Sequence, residues 1–385
     1  MPRPSKAAIV AALVLGAALL AAPRTAPTQE LPAGRGPIRI GVAGPISGGS
    51  AAFGLQFKEG VEQAVADING SGGILGREIA LAVGDDRGDP KDGVAIANRF
   101  VGDGVKFVIG HFNSGVTIPA SDVYQEHGVL EITPSSTNPQ ITERGMWNVF
   151  RTCGRDDQQG AVAGDYILRH FKDRKIAIVH DKTTYGQGLA DVARATINRG
   201  GMKEVVYEGV NRGDKDFSAL VLKIKASGAA IVYWGGVHYT GAMILRQMRD
   251  QGVRAQVIGG DGITDDEFAA IAGPGAEGTL MTYGADPRRR PDAQAALARF
   301  RARNVHPQVY TLYSYAAVEI IKQAAEAASS LDPRKVAALM KSGMSFKTAI
   351  GELSFDGKGD ITRLDYVVYV WKKNASGQLT YTEMP

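Results

Sequence analysis

From Ile38 onward the chain alternates short β-branched strands with stretches carrying apolar residues at helical spacing, and it runs through this alternation twice in the same order. Such a pattern builds βαβ units, and βαβ units build a parallel sheet covered by helices. I38-R-I-G-V-A is a strand. Residues 56–69 place Phe57, Val61, Ala64, Val65 and Ile68 on one helical face, and G72-G-I-L-G ends that helix. I79-A-L-A-V is the next strand, 92–101 a helix and F107-V-I-G a third strand. The order then restarts: K175-I-A-I-V-H-D echoes I38-R-I-G-V-A-G, A195-T-I-N-R-G-G echoes A66-D-I-N-G-S-G-G, R212-G-D-K-D-F echoes R87-G-D-P-K-D, and A230-I-V-Y-W-G-G echoes F107-V-I-G-H. The offset shrinks gradually from 137 to 123 residues, as two related lobes with unequal loops would give. The expected fold is therefore α/β: two Rossmann-like lobes with parallel-sheet cores, joined by three crossing segments, with a crevice between them for a small molecule. Helical patterns at 293–303, 310–329 and 333–341 return the chain to the first lobe, and L364-D-Y-V-V-Y-V-W alternates as a strand at a third crossing. The boundaries this predicts are 38–154 plus 284–365 for one lobe and 155–283 plus 366–385 for the other. G154-R-D-D-Q-Q-G reads as a hinge, with Asp156 or Asp157 capping the next helix.

Residues 1–22 read as an export signal: Arg3 and Lys6 precede the apolar run 7–22, which is short for a membrane span. Pro23 follows the small residues Ala21 and Ala22 awkwardly, so retention as an anchor stays open. Residues 23–37, rich in Pro, Gly and Thr, read as a flexible tether. Cys153 is the single cysteine, so no internal disulfide can form and no cysteine after the apolar run can accept a lipid. Export without lipid points to the periplasm, and Cys153 reads as a small buried residue. The net charge of +4 demands neither nucleic acid nor an anionic membrane. The arginines at 288–290, 299, 301 and 303 lack interleaved aromatics and have acids nearby, as a solvated face does.

Two loops between Phe107 and Thr142 carry the functional signal. F107-V-I-G-H-F-N-S-G-V-T runs a strand into Ser114, and V129-L-E-I-T-P-S-S-T-N-P ends in Ser135, Ser136 and Thr137. At the carboxyl ends of parallel strands, hydroxyls and helix N-terminal N–H groups suit a small anion such as a carboxylate. The plainer alternative is a turn and N-cap before Pro139. Asp261, between glycines in V257-I-G-G-D-G, is either a turn aspartate or a carboxylate aimed into the cleft.

In this order the segments I40-G-V-A-G-P-I-S-G, A64-V-A-D-I-N-G-S-G-G-I-L-G, V108-I-G-H, I132-T-P-S-S-T-N-P, F150-R-T-C-G-R-D-D-Q-Q-G, H180-D-K-T-T-Y-G-Q-G, D216-F-S-A-L and F355-D-G-K-G-D resemble the periplasmic leucine/isoleucine/valine-binding proteins, the type I solute-binding components of ABC importers. The resemblance runs from Ile38 to Trp371. It implies a two-lobed clamp that closes on an amino acid and hands it to a membrane permease, as a monomer with no cofactor. It also implies roles: Ser114, Ser135, Ser136 and Thr137 for the carboxylate and part of the ammonium, Tyr185 pressing from the second lobe, and Asp261 taking the ammonium. Phe53 and Val237 stand where many relatives carry tyrosine, and Gly88 and Asn113 where some carry a disulfide. The loss of aromatic volume at Val237 predicts room for a larger side chain, or a different small ligand.

Chemistry beyond binding finds little support. There is no G-x-G-x-x-G after the first strand, no phosphate-binding G-x-x-x-x-G-K-[ST], no H-E-x-x-H and no G-x-S-x-G. His111 and His238 follow corresponding strands and read as packing or supporting residues rather than metal ligands. D356-G-K-G-D360 lacks the later ligands of a calcium loop and reads as a β-turn. The expectation is a binding protein rather than an enzyme. The alternatives are a ligand-sensing receptor module of the same fold and a binder of a small carboxylate or amide that is not an amino acid.

Overall fold

A computed structural model describes residues 36–363 and 366–384. The expected export signal lies outside the described residues, as does all of the expected tether except its last two residues. The first lobe is built from β1 (Ile38–Gly44), α1 (Ala51–Gly70), β2 (Ile79–Asp85), α2 (Pro90–Gly102), β3 (Phe107–Ile109), α3 (Ser114–Glu126), β4 (Leu130–Thr133), the single turn α4 (Gln140–Glu143) and β5 (Val149–Arg151). Its sheet has the order β2-β1-β3-β4-β5 with every pairing parallel. Apart from the edge strand β2, the strands are short and almost wholly buried, because helices cover both faces. Helix α2 starts two residues before the expected 92: Asp89 caps it by accepting from the N–H groups of Lys91 and Asp92, and Pro90 occupies the first turn, where a missing N–H costs nothing.

The second lobe repeats the plan with α5 (Asp156–Phe171), β6 (Ile176–His180), α6 (Thr184–Arg199), β7 (Glu204–Gly209), α7 (Ser218–Ser227), β8 (Ile231–Gly235), α8 (His238–Asp250), β9 (Gln256–Gly259), α9 (Asp266–Ala272) and β10 (Leu280–Gly284). Read from β7, its sheet runs β7-β6-β8-β9-β10, the same order as in the first lobe. The internal echo in the sequence is thus an echo in topology. Both sheets reverse direction of winding beside their first strand, and the loops leaving those strands face one crevice.

The chain then returns to the first lobe as α10 (Gln294–Ala302), α11 (Val309–Ala327), α12 (Pro333–Met340) and the hairpin β11 (Phe346–Thr348) and β12 (Gly351–Leu353). Helix α11 lies against α1 so closely that a Cβ at Gly60 would meet the Thr311 carbonyl oxygen at 2.1 Å. The last strands, β13 (Tyr366–Lys373) and β14 (Leu379–Glu383), extend the second sheet antiparallel beyond β10. The alternating run at 364–371 is therefore mostly a strand of the second lobe. Leu364 and Asp365 lie outside the described residues.

One local expectation is corrected. Helix α5 begins at Asp156 itself, after an Arg155 that gives no side-chain cap, so neither Asp156 nor Asp157 is its N-cap. The arginines near 290 form a largely exposed face with acids beside them, as expected: Arg288 pairs with Asp286 and Arg299 with Asp67. The D356–D360 turn is as expected, the Asp356 carboxylate accepting from the N–H groups of Lys358, Gly359 and Asp360.

One buried cation organises the crossing beside β5. Arg151 is fully buried; its Nη1 donates to the carbonyls of Ser136 and Asn138 at 2.9 and 3.2 Å and its Nη2 to Thr142 at 2.6 Å, while Nε lies 2.6 Å from Asp360. Arg155, at the start of the second lobe, holds the other oxygen of Asp360 at 2.7 Å. Removing Arg151 leaves several buried acceptors without a donor. Arg151→Met is therefore expected to lower the unfolding free energy by about 3–5 kcal/mol in urea titration.

Candidate functional site

The crevice closes on a small cavity lined by Phe112, Asn113, Ser114, Ser135, Tyr185, Val237, Asp261, Gly262 and Tyr310. Each residue reaches it for a local reason. Phe112 and Asn113 occupy the turn leaving β3, and Ser114 is the first residue of α3, whose N-cap Asn113 gives no side-chain hydrogen bond. The first-turn N–H groups of α3 are thus not claimed by a capping side chain, and the helix dipole adds positive potential there. Ser135 follows β4. Tyr185 opens α6 behind a Thr183 cap, and Val237 precedes α8. Asp261 follows β9, and Tyr310 stands at the start of α11.

The hydroxyls divide by what their protons already do. Ser114 Oγ accepts from the Asn138 N–H at 3.3 Å, leaving its own proton to donate. Ser135 Oγ donates to the Phe112 carbonyl at 3.0 Å, leaving lone pairs to accept. Thr137, expected in the cradle, is fully buried but does not line the cavity, and its hydroxyl is directed to the Asp156 carboxyl instead. Ser136 is different: its Oγ lies 3.0 and 2.9 Å from the carbonyls of His111 and Phe112 and 2.7 Å from Thr117 Oγ1, and it does not line the cavity. Ser136 braces the turn rather than facing a ligand. His111 supports the same turn from behind. Its carbonyl also accepts from Thr133 at 2.8 Å, and its buried imidazole lies between Asp86 at 2.6 Å and Tyr124 at 3.0 Å.

Across the cavity, Asp261 is almost fully buried and receives a tyrosine from each lobe. Tyr185 donates to Oδ1 and Tyr310 to Oδ2, both at 2.8 Å. The Gly262 N–H donates back to Tyr185 at 3.0 Å, and a Cβ there would come within 2.6 Å of the Gly236 carbonyl, so only glycine fits this approach. Burial pushes the Asp261 carboxyl above the usual carboxylate range, against the pull of the two tyrosine hydroxyls. Asp156 is also buried and is pushed well up, first by burial and then by the charge of Asp261, against the pull of the Thr137 hydroxyl. Two carboxyl groups in one enclosed region favour a cation between the lobes.

Aromatic packing sets the size of the cavity. Phe53 does not line it but stacks behind Phe112 at 4.4 Å, and Tyr310 meets both rings edge-on at 5.6 and 6.0 Å. Phe112 and Tyr310 line the cavity together with Val237. Both were missed in the sequence. Phe112 stands between His111 and Asn113 with no pattern to single it out, and Tyr310 lies in a helix far from the loop motifs. A signal for Tyr310 was present in the run V309-Y-T-L-Y-S-Y, which places more tyrosines on one helix than packing alone asks for. Gly88 and Asn113 do adjoin: a Cβ at Gly88 would lie 2.9 Å from Asn113 Oδ1.

Further bonds cross between lobes around the cavity. Gln56 donates to Asp265 at 2.7 Å, Asn138 to the Thr184 carbonyl at 2.9 Å and Arg212 to Ser50 at 2.9 Å. His238, Asp265 and Glu267 bring potential ligand atoms within 4.8 Å of one another, yet His238 Nε2 is bonded to Glu267, and Asp265 is held by Gln56 and the Glu267 N–H. This group is a latch against Phe53, whose ring His238 meets edge-on at 5.0 Å.

With this geometry in place, comparison with known proteins is decisive. Residues 37–377 match the periplasmic binding protein family, and the chain belongs to it. It is 56% identical to the Leu/Ile/Val-binding protein homolog 1 of Brucella melitensis biotype 1 over 346 residues, which is 90% of this chain and 93% of that protein. It is 52% identical to an amino acid binding protein of Pseudomonas aeruginosa, covering 86% of this chain and 89% of the relative. The crystal structure of a leucine-binding protein from Thermotoga maritima superposes with a TM-score of 0.82 at 26% identity, over 90% of this chain and 97% of that one. The two-lobed fold expected from the sequence is the fold of this family.

Because the Asp261 carboxyl is raised by burial, an ammonium ligand must bind its ionised form and a proton competes for it. Affinity for an amine-bearing ligand is expected to fall as pH drops from neutral toward the carboxylate range, with proton release on binding at acidic pH. Calorimetry in buffers of different ionisation enthalpy checks both, and Asp261→Asn is expected to abolish the pH dependence.

Proposed function

We propose that this protein captures a free α-amino acid with a short aliphatic or branched side chain in the periplasm and delivers it to an ABC importer. One observation carries the reading: the Ser114 hydroxyl and the α3 N-terminus face the buried carboxylate of Asp261 across one small cavity. A zwitterion needs both ends at once. The carboxylate takes the Ser114 hydroxyl and helix N–H groups, while the ammonium takes Asp261 and the Ser135 lone pairs. The side chain then packs among Phe112, Tyr310 and Val237. The names of the relatives, which specify leucine, isoleucine and valine or an amino acid, support the same ligand class.

In this reading the ligand docks first on the first-lobe cradle, and the second lobe closes over it with Tyr185 and Asp261. The ligand stabilises closure only through contacts absent from the open form, so it shifts an existing equilibrium. The closed faces of the two lobes then meet the permease. The export signal at 1–22, its removal and the lobe boundaries given above belong to this proposal.

The test is a thermal-shift and calorimetry series with alanine, valine, leucine, their amides and simple carboxylates. Aliphatic L-amino acids are expected to raise the melting temperature by mass action, and their amides to fail. Asp261→Ala is expected to cost about 2–5 kcal/mol of binding, as the loss of a buried charge partner does. Ser114→Ala is expected to cost about 1–3 kcal/mol without lowering the ligand-free melting temperature. Binding of simple carboxylates in preference to amino acids overturns the reading.

A further inference from the structure

Outside the closed cavity, an open groove crosses the mouth of the cleft. Val237 lines both spaces, so one side chain separates the ligand cavity from the groove. Its walls come from two corresponding loops. R87-G-D follows β2 in the first lobe and R212-G-D follows β7 in the second, and the repeated topology turns both toward the crevice.

The charges in this groove are unequal. Arg87 is paired with Asp92 at 2.5 Å. The Asp89 carboxylate is occupied with the N-terminus of α2. Arg212 uses one nitrogen on Ser50 across the cleft, and Lys215 lies over the Tyr239 ring at 4.5 Å with its Nζ 2.6 Å from the phenol oxygen. Among the described residues neither Arg212 nor Lys215 has a carboxylate partner. Asp214 and Asp216 stand in the same exposed segment, and Asp216 accepts from the Ser218 N–H. The groove therefore holds an arginine fork with spare donors and a movable ammonium, one side chain away from the ligand cavity.

We propose that this groove is a subsite for the distal carboxylate of an acidic amino acid whose side chain runs past Val237. The inference rests on the amino-acid reading of the inner cavity and extends the ligands from neutral to anionic ones. The α-carboxylate and ammonium stay on the inner cradle and Asp261. Aliphatic side chains end against Val237, while a side chain of glutamate length places its carboxylate between Arg212 and Lys215. The bidentate geometry of guanidinium suits that group, and a lysine released from an aromatic face adds a point charge.

The experiment compares L-valine and L-glutamate by calorimetry on the full protein, singly and in competition, at about 20 and 200 mM salt. The variants are Arg212→Gln, which keeps a donor for Ser50, Lys215→Gln, and both together. Glutamate is expected to displace valine from one shared site and to weaken with salt, whereas valine does not. The double variant is expected to weaken glutamate by about tenfold or more, the size of a lost charged hydrogen bond, and valine by less than about twofold. Failure of glutamate to bind while valine binds overturns this subsite and leaves the inner site standing. Equal weakening of both ligands in the double variant also overturns it, because the cations would then act only in closure. If neither ligand binds the unaltered protein, the amino-acid reading falls as well.

Discussion

The structure turns on a buried carboxylate held between two tyrosines that belong to different lobes. Asp261 has been taken out of water, and its ionised form is supported against burial by the hydroxyls of Tyr185 and Tyr310, with Gln159 beside them. An acid placed this way has a double consequence. It ties the lobes together in the closed form, since Tyr310 comes from the helix packed on α1 and Asp261 from the turn after β9. It also makes the cavity selective, because an occupant lacking positive charge leaves the buried charge without compensation.

The rest of the first lobe holds the opposite pole in place. Arg151 fixes the carbonyls of Ser136 and Asn138, His111 gathers the hydroxyls of Thr133, Thr117 and Ser136 on one carbonyl, and the turn that results presents Ser114 and Ser135. Little of this support touches a ligand. It keeps donors aimed at a point before anything binds, so less ordering is left for binding to accomplish. The hydroxyl cradle avoids a buried cation of its own, and the only strong charges facing the ligand are negative.

Much of the site was legible because loops after parallel strands announce themselves. Ser114, Ser135, Tyr185, Val237 and Asp261 all follow strands or open helices in short motifs, and all five line the cavity. Ser136 and Phe53 lie in the same motifs, yet one turns its hydroxyl into the backbone and the other packs a layer behind. Which way a side chain turns depends on φ/ψ and on neighbours distant in sequence, and no periodicity encodes that. Phe112 and Tyr310 escaped for the complementary reason: their importance comes from meeting each other and Phe53, residues separated by up to 257 positions.

The sequence by itself determined the class of fold, the doubling of the lobe and the family, since strand and helix periods are local and a repeated order survives loop changes. It also placed hydroxyl-bearing loops and an acid after parallel strands that face the crevice. The tertiary structure alone decided the size of the cavity, the pairing of Asp261 with two tyrosines, and the placing of R87-G-D and R212-G-D on one groove. Those facts depend on two lobes meeting, and the meeting is governed by packing and charge across the cleft, which no single segment of chain contains.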